Sequence, residues 1–111
     1  MKIGAAAAAS GCHIETIRYY ERIGLLPHPA RSVSGYREYL PEEVDRLRFI
    51  TRGRELGFSL EEIRSLLALS DDPTLSCRDV DQLARHHLAD IRQRLRELRR
   101  IAQELERTIA S

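Results

Sequence analysis

Residues 3–23 read IGAAAAASGCHIETIRYYERI, and the fold turns on this stretch. Alanine has the highest helix propensity of any residue, so the run from Ala5 to Ala9 predicts a short helix starting at Ile3. Ser10-Gly11-Cys12 breaks that helix. From His13 to Ile23 the pattern resumes, with Ile14, Ile17 and Tyr20 or Glu21 at helical spacing. Two short helices joined by a tight glycine-containing turn make a helix-turn-helix pattern. Alone the pattern is weakly specific, because any αα-corner presents it.

Downstream of this stretch, Gly24 closes the second helix, and Pro27 and Pro29 forbid another across residues 25–29. Ser34-Gly35 is a turn signal between Arg31-Ser32-Val33 and the strand-like Tyr36-Arg37-Glu38-Tyr39, which predicts a small two-stranded wing over about 25–39. Pro41, with Glu42 and Glu43, suits the first turn of a helix ending near Leu56, where Gly57 can supply a left-handed cap. Ser59 and Glu62 form a capping box for a helix reaching about Ser70, completing a helix pair over about 41–70. Residues 71–76 read as a linker, and Ser76 with Asp79 can cap a helix that meets no Gly or Pro before Ser111.

That last helix carries the clearest periodicity in the chain. After Ala84, apolar residues recur at Leu88, Ile91, Leu95, Leu98, Ala102, Leu105 and Ile109, in alternating steps of four and three that make a heptad seam. A helix of this length, ~50 Å at 1.5 Å per residue, outruns what the small N-terminal domain could cover. The seam must find another helix, most simply its copy in a second chain.

Composition narrows the classes. With 111 residues, 42% hydrophobic and 32% charged, the chain fits one small globular domain plus a long helix. Four Tyr, two Phe and no Trp argue against a large β-sandwich. No apolar run approaches the ~18 residues of a membrane span, and five alanines are too few and too weakly apolar for a secretory signal, although Ala9-Ser10-Gly11-Cys12 imitates a lipoprotein cleavage box. Two cysteines imply no disulfide framework, so the reducing cytoplasm is the expected location. The net charge of +1 hides an uneven distribution: +3 over residues 1–54, −5 over 55–81 and +3 over 82–111. Apart from Lys2 every cation is Arg, the side chain best suited to phosphate and base edges. No nucleophile–base pair, phosphate loop or complete metal constellation points to an enzyme.

Three motifs then become recognisable. Glu15-Thr16-Ile17-Arg18-Tyr19-Tyr20-Glu21-Arg22-Ile23-Gly24-Leu25-Leu26 closely resembles the second helix of MerR-family transcription regulators. Arg31-Ser32-Val33-Ser34-Gly35-Tyr36-Arg37 is similar to their wing, and Leu56-Gly57-Phe58-Ser59-Leu60-Glu61-Glu62-Ile63 to their following turn. The resemblance spans essentially the whole chain. It implies a mostly α fold: a DNA-binding domain over 1–70, with a winged helix-turn-helix and a helix pair, and a long dimerisation helix over 77–111. Across the homodimer these helices would form an antiparallel coiled coil. It also implies binding to palindromic double-stranded promoter DNA and activation by DNA distortion, with RNA polymerase as the further partner and no membrane. Thr16, Arg18, Tyr19 and Tyr20 on the recognition helix, and Arg31, Tyr36 and Arg37 on the wing, are the expected DNA contacts. Ala5, Ala8, His13 and Leu40 depart from the usual family residues and weaken expected helix-end contacts.

The effector is harder to read. A lone Cys is most simply a small buried hydrophobe, and Cys12 reads that way. Cys77 begins the long helix, and with Leu83-Ala84-Arg85-His86-His87-Leu88-Ala89-Asp90-Ile91 it resembles the branch that senses mercury, zinc, cadmium or lead. In that branch Cys77 would be a ligand to a divalent soft metal, and a loop following the helix would supply the others. The expected loop would begin just past Ser111, so within this chain the site is incomplete. A truncated chain or a different effector would each account for that. His86 lies ~13 Å along the helix from Cys77, too far to share an ion within one chain. A redox or small-molecule sensor using Cys77, and a coiled-coil interaction module without specific DNA binding, stay open as alternatives.

Overall fold

The computed structural model describes residues 1–27, 30–31 and 35–110. In chain order its elements are α1 (Ile3–Ser10), α2 (Ile14–Arg22), β1 (Ala30–Arg31), β2 (Arg37–Glu38), α3 (Pro41–Glu55), α4 (Leu60–Asp71) and α5 (Cys77–Ala110). The chain divides into two compact units, Met1–Arg64 and Ser65–Ser111. The mostly helical order expected from the sequence is the one observed. The strands pair antiparallel, Ala30 opposite Glu38 and Arg31 opposite Arg37. Ser32, Val33 and Ser34 of the expected wing, and the Arg31 side chain, lie outside the described residues.

In the first unit, α1 stops where Gly11 turns left-handed at φ 73°, its amide donating to the Ala7 carbonyl at 3.0 Å. The Ser10 hydroxyl accepts from the Cys12 amide at 3.3 Å and tightens the turn into α2. Lys2, His13 and Leu40, which precede α1, α2 and α3, make no side-chain cap. Pro41 and the acidic pair Glu42 and Glu43 favour the start of α3 instead. At α4 the capping box is complete: Ser59 N donates to Glu62 Oε1 at 3.1 Å and Glu62 N to Ser59 Oγ at 3.0 Å.

Ile17 of α2, Leu25 and Leu26 after it, Tyr39, and Val44, Leu47 and Ile50 of α3 fill the core together with Ala6 and Ile63. Each large side chain buried there contributes about 1.5–3 kcal/mol. A Cβ on Gly53 would stand 3.2 Å from Ile63 Cδ1, so the missing side chain is what lets α4 approach α3 this closely. Arginines from α3 and α4 reach back to carbonyls of earlier segments, two of them at helix ends. Arg48 Nε donates to the Ala9 carbonyl at 2.9 Å, Arg64 Nη2 to the Ile23 carbonyl at 2.7 Å and Arg46 Nε to the Leu25 carbonyl at 2.7 Å. Cations placed on carbonyls at helix ends oppose the negative pole of the helix dipole.

In the second unit, Asp72 receives the Thr74 amide at 2.9 Å and its hydroxyl at 2.6 Å, which holds the Asp72 carboxyl below its usual range. Asp79 N donates to Ser76 Oγ at 3.1 Å and Ser76 N to Asp79 Oδ2 at 3.3 Å, so α5 starts with the capping box expected of it. Ser65 Oγ and His87 Nε2 lie 2.8 Å apart and join α4 to α5. No residue of α5 is buried. Among the described residues no helix is long and apolar enough to cross a membrane.

Candidate nucleic-acid interface

In helix α2, residues 17, 20 and 21 face the core while 15, 18, 19 and 22 face out. Neighbouring residues on a helix differ by about 100°, and the boundary between the outer and inner faces of α2 falls between Tyr19 and Tyr20. Tyr19 is exposed, with the Arg22 guanidinium 5.8 Å from its ring centroid. Tyr20 is only 6% exposed and packs inward, which departs from its expected place among the DNA contacts. Thr16 is half-buried near the start of the helix.

Arg18 is exposed and pairs with Glu15, Nη1 to Oε1 2.8 Å. An exposed pair of this kind is worth ~0–1 kcal/mol, so Arg18 can be exchanged onto another anion at little cost. Beside it opens a cleft of about 400 Å³ lined by Lys2, Ile3, Arg18, Gly35, Tyr36 and Arg37. The Lys2 ammonium stands 4.9 Å from the Tyr36 ring centroid. Three cations and an exposed phenol from α2, β2 and the chain before α1 thus converge on one surface. A phosphate would meet donors and positive charge there from several sides. Arg31 pairs with Arg37 through the backbone of the wing.

Between wing and helix lies a group that sequence reasoning did not single out. Glu21 is 3% exposed; its Oε2 accepts from Arg37 Nη1 at 3.0 Å and its Oε1 from the Tyr39 hydroxyl. The one available signal was the position of Glu21 on the apolar face of α2, where an unpaired carboxylate could not stay. Burial pushes the Tyr39 hydroxyl up to about 12, with the Glu21 hydrogen bond and charge adding to it. Burial also pushes up the Glu43 carboxyl, with the nearby Glu21 charge contributing, and among the described residues Glu43 Oε2 has no hydrogen-bond partner.

A profile described as "MerR HTH family regulatory protein" matches residues 1–70, and one described as "MerR, DNA binding" matches residues 44–108. The chain belongs to the MerR family. It is similar to a probable heavy metal-dependent transcriptional regulator of Haemophilus influenzae, 42% identical over 96% of this chain and 83% of that protein. It is also similar to the mercuric resistance operon regulatory protein of Bacillus cereus, 45% identical over 94% and 79%. Among solved structures, the transcription regulator PbrR691 from Ralstonia metallidurans in complex with lead(II) is 43% identical, with 95% of this chain and 82% of that one covered at a TM-score of 0.62. The MerR relatives are transcriptional regulators and not enzymes, as the absence of a catalytic constellation in the sequence leads one to expect.

The expected metal ligand stands apart from the DNA face. Cys77 is exposed at the first position of α5, whereas Cys12 is buried, and burial pushes its thiol up. Among the described residues no three His, Cys, Asp or Glu side chains are placed to hold a metal ion together, so these residues do not fit a complete site. His86 lies 3.5 Å from Asp90 and His87 bonds Ser65, so both histidines are engaged locally.

The Tyr39 shift has a stability consequence. A folded-state value above the ordinary one of about 10 means that stabilisation is fully present below pH ~10 and is lost as pH rises toward about 12. Burial pushes the Tyr20 phenol up as well, so tyrosinate absorbance should show late-titrating phenols, and Tyr39→Phe should remove the latest step and its share of the alkaline loss of stability.

Proposed function

We propose that this MerR-family regulator binds a dyad-symmetric promoter as a homodimer and activates transcription through DNA distortion in response to a divalent soft metal ion. The observation that carries the DNA reading is the convergence of Lys2, Arg18, Tyr36 and Arg37 around one cleft beside the exposed Tyr19. Thr16, Arg18 and Tyr19 would enter the major groove, and Arg31, Tyr36 and Arg37 would hold the backbone beside it. Regulation through the shape of the DNA brings RNA polymerase in as the partner at the promoter, and the bacterial cytoplasm as the place of action.

Dimerisation is supported by what α5 leaves uncovered. Leu88, Leu95, Leu98, Leu105 and Ile109 are exposed large hydrophobics in the single chain, Ala102 is exposed and Ile91 half-buried. Ile101, which the periodicity reading passed over in favour of Ala102, is exposed as well and widens the stripe. A stripe of this extent on one helix fits a second copy of itself as an antiparallel coiled coil.

Support for a metal effector comes from the relatives: one is named as heavy metal-dependent, one regulates mercuric resistance, and one was solved with lead(II). Mercury, zinc, cadmium and lead all suit a thiolate ligand, and Cys77 is the exposed thiol this chain offers.

Three outcomes are expected. Arg18→Ala should cost about 1–3 kcal/mol of specific DNA affinity, read by titration against a selected dyad duplex and a scrambled one. Unchanged affinity and discrimination would remove α2 from the groove. Leu95→Arg should convert the dimer to monomer in sedimentation, with DNA binding lost alongside, because a charge in an apolar interface costs several kcal/mol. Cys77→Ser should abolish any transcriptional response of a reporter to Hg(II), Zn(II), Cd(II) or Pb(II) while the dimer and metal-free DNA binding persist. A retained response would return Cys77 to a packing role.

A further inference from the structure

We propose that Glu21 is a positioning residue for DNA recognition: it aims Arg37 into the basic cleft and, through Tyr39, fixes the wing strand β2 against the recognition helix α2. The inference rests on the DNA-binding reading above and adds to it the group that sets the geometry.

Glu21 sits on the inner face of α2, one helical turn from Arg18 and directly beside Tyr20. Its carboxylate is nearly inaccessible to water, and a buried charge must be matched by a partner or by donors. Both partners come from one short segment of the wing: the guanidinium of Arg37 at 3.0 Å and the hydroxyl of Tyr39. Residues 37 and 39 lie on the same side of the extended chain, so a single carboxylate grips two successive inward positions. The Tyr39 ring is buried, which leaves its hydroxyl little freedom to seek another acceptor.

Among the described residues, Arg37 is held on its inner side by Glu21. Its side chain remains 36% exposed and lines the cleft with Lys2, Arg18 and Tyr36. A guanidinium carries five N–H donors in a fixed plane, so one edge can stay on Glu21 while the other faces an incoming phosphate. The two-stranded wing is too short to hold its own position. Backbone bonds between Met1 and Tyr39, at 2.7 and 2.8 Å, hold the end of β2 to the start of the chain, and the Glu21 contacts are the ones that tie it to α2 and so set where Arg37 stands relative to Arg18 and Tyr19. Glu21 itself is too deeply buried to touch DNA, so it acts through Arg37 and Tyr39.

An opposing account makes the opposite prediction. If Glu21 only competes with phosphate for Arg37, neutralising it should free the guanidinium and tighten DNA binding. If Glu21 aims Arg37, neutralising it should weaken binding. The test uses the full chain and a duplex that the wild-type protein selects from a randomised pool, with a scrambled duplex as control. Glu21→Gln, which keeps shape and polarity but removes charge, should weaken specific binding about tenfold, the scale of one charge-assisted contact. The slope of log affinity against log salt should become shallower by about one, because one phosphate is no longer engaged. A loss of fold stability alone would leave that slope unchanged at a temperature where circular dichroism shows each variant folded. Glu21→Gln added to Arg37→Gln should cost nothing further, since both remove the same contact.

Tighter or unchanged binding by Glu21→Gln, an unchanged salt slope, or additive losses in the double variant would each overturn the inference. If Glu21→Gln does not fold, Tyr39→Phe decides, since it loosens the same carboxylate without removing a charge. It should weaken specific binding and shallow the slope, and wild-type values for it would overturn the inference equally. Failure of the wild-type protein to select any duplex would instead sink the DNA-binding reading itself.

Discussion

A carboxylate shut away from water has to be answered, and in this protein the answer joins α2 to the end of the wing. Glu21 finds its counter-charge in Arg37 and a hydroxyl donor in Tyr39. Each of the three would be expensive to leave alone: a buried charge, a long cation drawn inward, a phenol without an acceptor. Together they make that joint, where the buried Tyr39 ring also takes part in the core. Core packing through Ile17, Leu25, Leu26 and Leu47 brings the segments near, and the polar contact ties them.

Arginine performs two different tasks on this scaffold. Arg46, Arg48 and Arg64 spend donors on backbone carbonyls of other segments, and Arg48 and Arg64 thereby act as long-range caps of α1 and α2. Among the described residues, Arg18 has an exposed i,i+3 partner, and Arg37 lines a cleft. Composition marks the chain as arginine-rich without distinguishing these uses. The distinction arises from which carbonyls a folded backbone presents within reach.

This explains how much of the molecule could be read from its residues. Element order, the Ser59–Glu62 and Ser76–Asp79 capping boxes and the apolar stripe of α5 are local or periodic properties, and they were legible. The choice between Tyr19 and Tyr20 was only partly so: the spacing of Ile14, Ile17 and Tyr20 already sets Tyr20 on the apolar face, but the recognition-helix motif carried both tyrosines into the expected contact set. The pairing of residues 21 and 37 was hidden, since nothing in a sixteen-residue separation announces a contact between a helix and a wing. Ile101 competed with Ala102 for one seam position, and a strict heptad chose the smaller side chain although the stripe is wide enough for both. The incomplete donor set around Cys77 follows the opposite pattern: the sequence suggested one ligand, and the described residues bring no further two beside it.

The arginine caps on the first two helices carry a consequence for how the protein assembles. With eight and nine residues, α1 and α2 are shorter than the ~12–15 residues an isolated helix needs to persist in water. The carbonyls closing them are held by side chains 39 and 41 positions later in the chain. Helices α1 and α2 therefore depend on α3 and α4 for their ends, so the segment proposed to read DNA is stabilised by residues that follow it in the chain. Transplanting residues 3–23 alone onto another scaffold would carry the contact residues and leave behind the forces that shape them.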